Sequence, residues 1–174
     1  NVNKVHANNH ISEVKFSNLC SEVLQASTVS NYTDYGEEDE IGLDISCNLA
    51  SLNIVNVMDN KSIKETVKLA IDALTTVSEK TNIKNAPAVQ KGNKLMRSVG
   101  LGAMNLHGYL AKNKIGYETE AARDFANTFF MIVNFYSLER SMEIAKETGV
   151  KYYRFEESTY ATGEYFDQYV QEDF

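Results

Sequence analysis

The feature that most constrains the fold is a long unbroken helical stretch in the second half of the chain. Residues 120–148 contain no proline or glycine, Thr119 is a plausible N-cap, and Gly149 supplies a C-terminal stop. A helix over these residues is about 42 Å long at 1.5 Å per residue. Its centre, Phe125 to Leu138, is apolar around most of its circumference. Such a helix wants burial on several sides, more than a chain of 174 residues obviously provides. Any fold for this sequence therefore has to be helix-rich, and the chain reads as a piece of something larger.

Other helices are marked upstream. Ser62 and Glu65 have capping-box spacing, and Ile63, Val67, Ala70, Ile71, Leu74 and Val77 follow at helical period, ending near Asn82. Pro87 opens a second helix to about Arg97. Gly100-Leu-Gly102 predicts a tight turn or short strand leading into a helix to about Lys112. A lone G-x-G is more often a turn than a phosphate cradle, and Tyr152-Tyr153 reads as packing.

Before residue 60 the pattern is different. Residues 1–10 are polar and aperiodic, Ile11 to Leu24 alternates imperfectly as an extended segment, and residues 27–40 form a polar, acidic loop with Glu37 to Glu40 as a solvated tip. Ile41 to Val57 reads as one strand buried along much of its length. The fold class is α/β, with strands early and mostly helix after residue 60, an order that again suits a fragment.

A net charge of -7 argues against a nucleic-acid surface. The sequence has no apolar run long enough for a membrane helix and no signal peptide, and it holds only two cysteines, a combination that predicts a cytoplasmic setting.

The chemistry concentrates in two segments. In Asn18-Leu-Cys-Ser-Glu22, extended backbone places Asn18, Cys20 and Glu22 on one face. Cys47 lies in the apolar segment Leu43 to Ile54. Burial as a small core residue is the common fate of a free cysteine. Metal ligation is disfavoured, because Cys20 and Cys47 are 27 positions apart (47 minus 20) and His6, His10 and His107 show no ligand spacing. A carboxylate two residues from Cys20 raises the thiol pKa, so Cys20 is a poor thiolate nucleophile. A neutral thiol beside a general base and an amide suits hydrogen-atom exchange at sulfur, with the carboxylate moving a proton at a neighbouring hydroxyl.

Asn18-Leu-Cys-Ser-Glu22 followed by Asp44-Ile-Ser-Cys-Asn-Leu-Ala-Ser-Leu-Asn-Ile54 resembles the large, catalytic subunit of ribonucleotide reductase, class Ib in wording. The resemblance continues through Asn85-Ala-Pro-Ala-Val89, Ser98 to Asn105 and Ser158 to Gly163, so it spans essentially the whole chain. It implies that residues 1–174 are a single partial domain from a ten-stranded α/β barrel, with the radical-cysteine loop near 16–24. It implies that Cys20 carries a transient thiyl radical, Glu22 is the base at the substrate 3′ hydroxyl, and Asn18 and Ser17 bind substrate. Cys47 would be one of two thiols that end as a disulfide. The implied partners are a ribonucleoside diphosphate, the remainder of the large subunit, a small subunit whose iron or manganese generates the radical, and a thioredoxin- or glutaredoxin-like dithiol protein. No cofactor or metal is expected on this chain itself. The second redox cysteine is expected upstream and the phosphate loop, relay tyrosines and shuttle cysteines downstream, so the chain alone is expected to be inactive. The competing reading is a non-catalytic helical binding or assembly module with structural cysteines.

Overall fold

The computed structural model describes residues 24–34, 38–46, 48–167 and 169. These form two compact units. One combines residues up to Cys47 with Ser78–Ser98 and the chain from Lys151 onward; the other combines Asn48–Val77 with Val99–Val150.

The second unit is built on two parallel strands, β1 (Leu49–Asn53) and β2 (Gly100–Met104), paired from Leu49 opposite Gly100 to Asn53 opposite Met104. A Cβ at Gly100 would lie 2.4 Å from the Leu49 Cδ2, so a larger residue there would make the exposed Leu49 side chain turn aside. The G-x-G element is thus a strand packed side by side with β1, so of the turn and short strand expected there the strand is what forms. The long strand expected over Ile41 to Val57 is shorter. It ends at Asn53, whose side chain accepts from the Asn56 amide and caps α1 (Ile54–Asp59). The run Ile54-Val-Asn-Val57 buries Ile54 and Val57, three apart and so on one face of a helix, whereas so short an apolar run reads equally as a strand in sequence.

Helix α2 (Ile63–Lys80) follows, then α3 (Pro87–Met96), whose C-cap Arg97 is left-handed. After β2 come α4 (Leu106–Lys112) and α5 (Glu120–Thr148). The limits of α5 match the sequence reading: the Thr119 hydroxyl accepts from the Ala122 amide at 3.3 Å and Gly149 closes the helix at φ 70°.

The core of this unit is dry. Leu52, Ile54, Val57, Val67, Phe129 and Val133 are all buried, flanked by Leu101, Tyr109 and Phe125. Tyr109 stacks on Phe125 with ring centroids 4.4 Å apart. Ions brace α2 against α5: Lys68 bridges Glu139 and Glu143 at 2.6 Å each, and Arg140 reaches Asp72, Glu143 and Glu147 at 2.7, 3.1 and 2.8 Å. Hydrogen bonds from Lys68 and then Arg140 hold the Glu143 carboxyl below its ordinary pKa, and Arg140 does the same for Glu147. Bonds to Glu139 and Glu143 raise Lys68 above its own.

Along α5 only Ala122, Phe129 and Val133 are fully buried, while Phe130, Met131, Phe135 (60 % exposed) and Met142 face outward. The helix leaves apolar surface uncovered, as its composition requires.

The first unit is organised differently. Residues 41–46 make no ladder with a named strand; they run between the segment at 24–30 and helix α3. Thr28 and Leu43 exchange two bonds, the Thr28 amide donating to the Leu43 carbonyl at 2.9 Å and the Leu43 amide to the Thr28 hydroxyl at 2.8 Å. Asn31 and Glu40 form an antiparallel bridge that closes the acidic loop, whose described residues Glu38 to Glu40 are exposed. Beyond α5, a 3-10 turn (Phe155–Glu157) leads into α6 (Thr159–Thr162) and α7 (Glu164–Asp167). Ser158 is completely buried and caps α6 through the Ala161 amide.

Candidate functional site

Ser17, Asn18, Cys20, Glu22 and Cys47 lie outside the described residues. The flanks of both motifs are described, and they meet. Gln25, three residues beyond Glu22, donates from its Nε2 to the carbonyl of Ser46, the residue before Cys47, at 2.6 Å. A carbonyl can only accept, so the amide nitrogen of Gln25 is the atom that must face it.

Ser46 is held a second time through its side chain. Its hydroxyl donates to Asn93 Oδ1 at 3.1 Å, and the Ser78 hydroxyl donates to the same oxygen at 3.1 Å. The Asn93 Nδ2 completes the set by donating to the Ser78 carbonyl at 2.8 Å. Asn93 is 1 % exposed and Ser78 6 %, so these are interior bonds, where an unmade bond would cost about 1–3 kcal/mol.

Helix α3 approaches this segment as closely as chain geometry allows. A Cβ on Gly92 would sit 1.8 Å from the Asp44 carbonyl oxygen. Glycine is therefore required where the helix crosses the backbone of residues 44–46. The Asp44 amide donates to the Ala88 carbonyl at 3.1 Å, and the Lys91 ammonium donates to the Ile41 carbonyl. On the other flank of Cys47, the Asn48 carbonyl accepts from the Gly100 amide at 2.9 Å, just ahead of the β1–β2 ladder.

Sequence reasoning missed Gln25, Ser46, Ser78, Gly92 and Asn93. One signal was present: the buried stripe of α2 runs Val67, Ile71, Leu74 and then Ser78, while Val77, read from the period as a core residue, is 54 % exposed. A serine continuing an apolar stripe announces a polar partner inside. Among the described residues no group of three or more His, Cys, Asp or Glu side chains could hold a metal ion. Among them, too, no helix is long and apolar enough to cross a membrane.

Two adjacent parallel strands separated by helices, with helices dominating thereafter, define a mixed α/β protein. The family model described as "Ribonucleotide reductase, barrel domain" matches residues 1–173. The chain belongs to that family. It is 75 % identical over 174 residues to the ribonucleoside-diphosphate reductase subunit alpha of Bacillus subtilis, covering all of this chain and 25 % of the relative. It is 46 % identical over 165 residues to the subunit of the same name from Mycoplasma pneumoniae, covering 94 % of this chain and 23 % of that one. Its fold matches the Actinobacillus ureae class Id ribonucleotide reductase alpha subunit with a TM-score of 0.59 at 20 % identity, over 97 % of this chain and 28 % of that one. The chain thus spans about a quarter of the length of these two subunits alpha.

Proposed function

We propose that this chain is the segment of a class Ib ribonucleoside-diphosphate reductase large subunit that carries the radical cysteine and one of the two reducing thiols. The observation that carries the reading is the Gln25–Ser46 bond, which joins the flank of the Cys20 motif to the flank of Cys47. Two cysteines far apart in sequence share a site only if their segments run together, and Gln25 lies five residues beyond Cys20 while Ser46 immediately precedes Cys47.

In this reading Cys20 exchanges a hydrogen atom with the 3′ carbon of a ribonucleoside diphosphate, and Glu22 takes the proton of the 3′ hydroxyl. Asn18 and Ser17 hold the substrate. The 2′ hydroxyl leaves as water, while Cys47 and a second cysteine upstream of this segment supply two electrons and are oxidised to a disulfide. The hydrogen atom then returns from Cys20 to the 3′ carbon, and a thioredoxin- or glutaredoxin-like dithiol reduces the disulfide. The initiating radical comes from an iron- or manganese-containing small subunit. Such chemistry requires a site closed to water, which segment 41–46, wedged between residues 24–30 and α3, would help to line.

The remainder of the large subunit is the natural cover for Phe130, Phe135 and Met142, which are exposed on α5. The test is deoxyribonucleotide formation by the assembled large and small subunits with a dithiol. Cys20→Ser and Cys47→Ser should each abolish turnover, and full activity of either variant would refute the reading.

A further inference from the structure

Ser46 has its backbone carbonyl bonded to Gln25 and its hydroxyl bonded to buried Asn93. These are side-chain bonds from two different stretches of chain to the residue that precedes Cys47. They are supported from behind by the Gly92–Asp44 close approach, which leaves α3 no room to slide on residues 44–46. Asn93 in turn cannot rotate without losing three bonds, because Ser78 engages both ends of its amide.

We propose that Gln25 and Asn93 are positioning residues that clamp Ser46, fixing the approach of the Cys47 thiol to substrate bound at the Cys20 motif. The proposal rests on the assignment of Cys47 as a reducing thiol. A reducing sulfur must reach the 2′ carbon within a fraction of an ångström, and its neighbour in the chain is the handle by which the fold sets that distance.

Ser46→Ala removes the bond to Asn93 while keeping Asn93–Ser78, and Gln25→Met keeps the side-chain length while removing the donor. Measured in the assembled reductase, each should lower kcat about tenfold with KM for the ribonucleoside diphosphate changed less than about twofold. Ser46→Thr, which retains the hydroxyl, should restore kcat to within about twofold of the parent. Ser78→Ala removes one of the two bonds by which Ser78 holds Asn93 and leaves the Ser46 bond in place, so it should lower the unfolding midpoint and lower kcat clearly less than Ser46→Ala does. The proposal is overturned if Ser46→Ala and Gln25→Met retain parental kcat, or if Ser78→Ala loses as much kcat as Ser46→Ala, which would make the cluster a packing device. Cys47→Ser in the same assay separates the two levels. Its retention of turnover would remove the underlying assignment, whereas its inactivity beside fully active Ser46→Ala and Gln25→Met would remove only the clamp.

Discussion

The two units are held together by opposite means. Around Phe129 every buried partner is apolar, and α2 and α5 are tied at its edge by the ion pairs of Lys68 and Arg140 and by Lys64 over the Tyr136 ring. Around Asn93 the contacts are amide and hydroxyl: Ser46 and Ser78 both donate to its Oδ1, and Gln25 donates to the carbonyl of Ser46. A dry core tolerates small shifts of its members, because dispersion contacts are many and weakly directional. A buried hydrogen-bond cluster admits one arrangement and penalises every other. The region next to Cys47 is the one built from the directional kind, which is where a reducing thiol would need it.

That contrast can be broken by substitution, and the largest effect belongs to the dry unit. Phe129→Ala should cost about 3–5 kcal/mol by urea unfolding, through lost burial and the cavity it leaves. Hydrogen exchange should rise over β1, β2 and α4 and leave residues 87–96 protected; uniform loss would mean the two cores are one. Gly92→Ala comes next, at about 2–3 kcal/mol, because a methyl 1.8 Å from the Asp44 oxygen forces α3 off its seat. Its exchange signature should be the reverse, confined to residues 41–46 and α3. Thr119→Ala removes only the N-cap of α5 and should cost about 1 kcal/mol, with Thr119→Ser recovering most of it.

The smallest effect is that of pH on the ion brace. The folded-state pKa values of Glu143 and Glu147 are lowered, so their contribution is complete above the ordinary carboxylate range and is lost as pH falls through the depressed values. Lys68 is raised, so its contribution is complete below its ordinary pKa and is lost only in strong alkali. The unfolding midpoint should be flat around neutrality and decline in acid, and Arg140→Gln should flatten the acid limb. An unchanged acid limb in that variant would show that the brace carries no stability.

How much of this was readable follows the same division. Helices α2, α3 and α5 were legible because apolar period, Pro87, Thr119 and Gly149 all act within a few residues. The end of β1 at Asn53 was not, since the short apolar run from Ile54 to Val57 reads as strand and helix alike until the Asn53 cap decides between them. Cys20, Glu22 and Cys47 were singled out by residue type and by the family resemblance, and they lie outside the described residues. Gln25, Ser46 and Asn93 carry no such mark by themselves; they acquire meaning only when the fold brings residues 25, 46 and 93 together. Asn93 and Ser78 could have been flagged only as polar residues on buried helical faces.

The central claim is that the two cysteine motifs form one site. A short bifunctional thiol reagent such as dibromobimane tests it directly on this chain under native conditions and in urea. The account predicts an intramolecular Cys20–Cys47 bridge that forms readily when the native protein is treated and much less when the reaction is run in urea. Native protein whose two thiols are each modified singly, with no bridge between them, would contradict it.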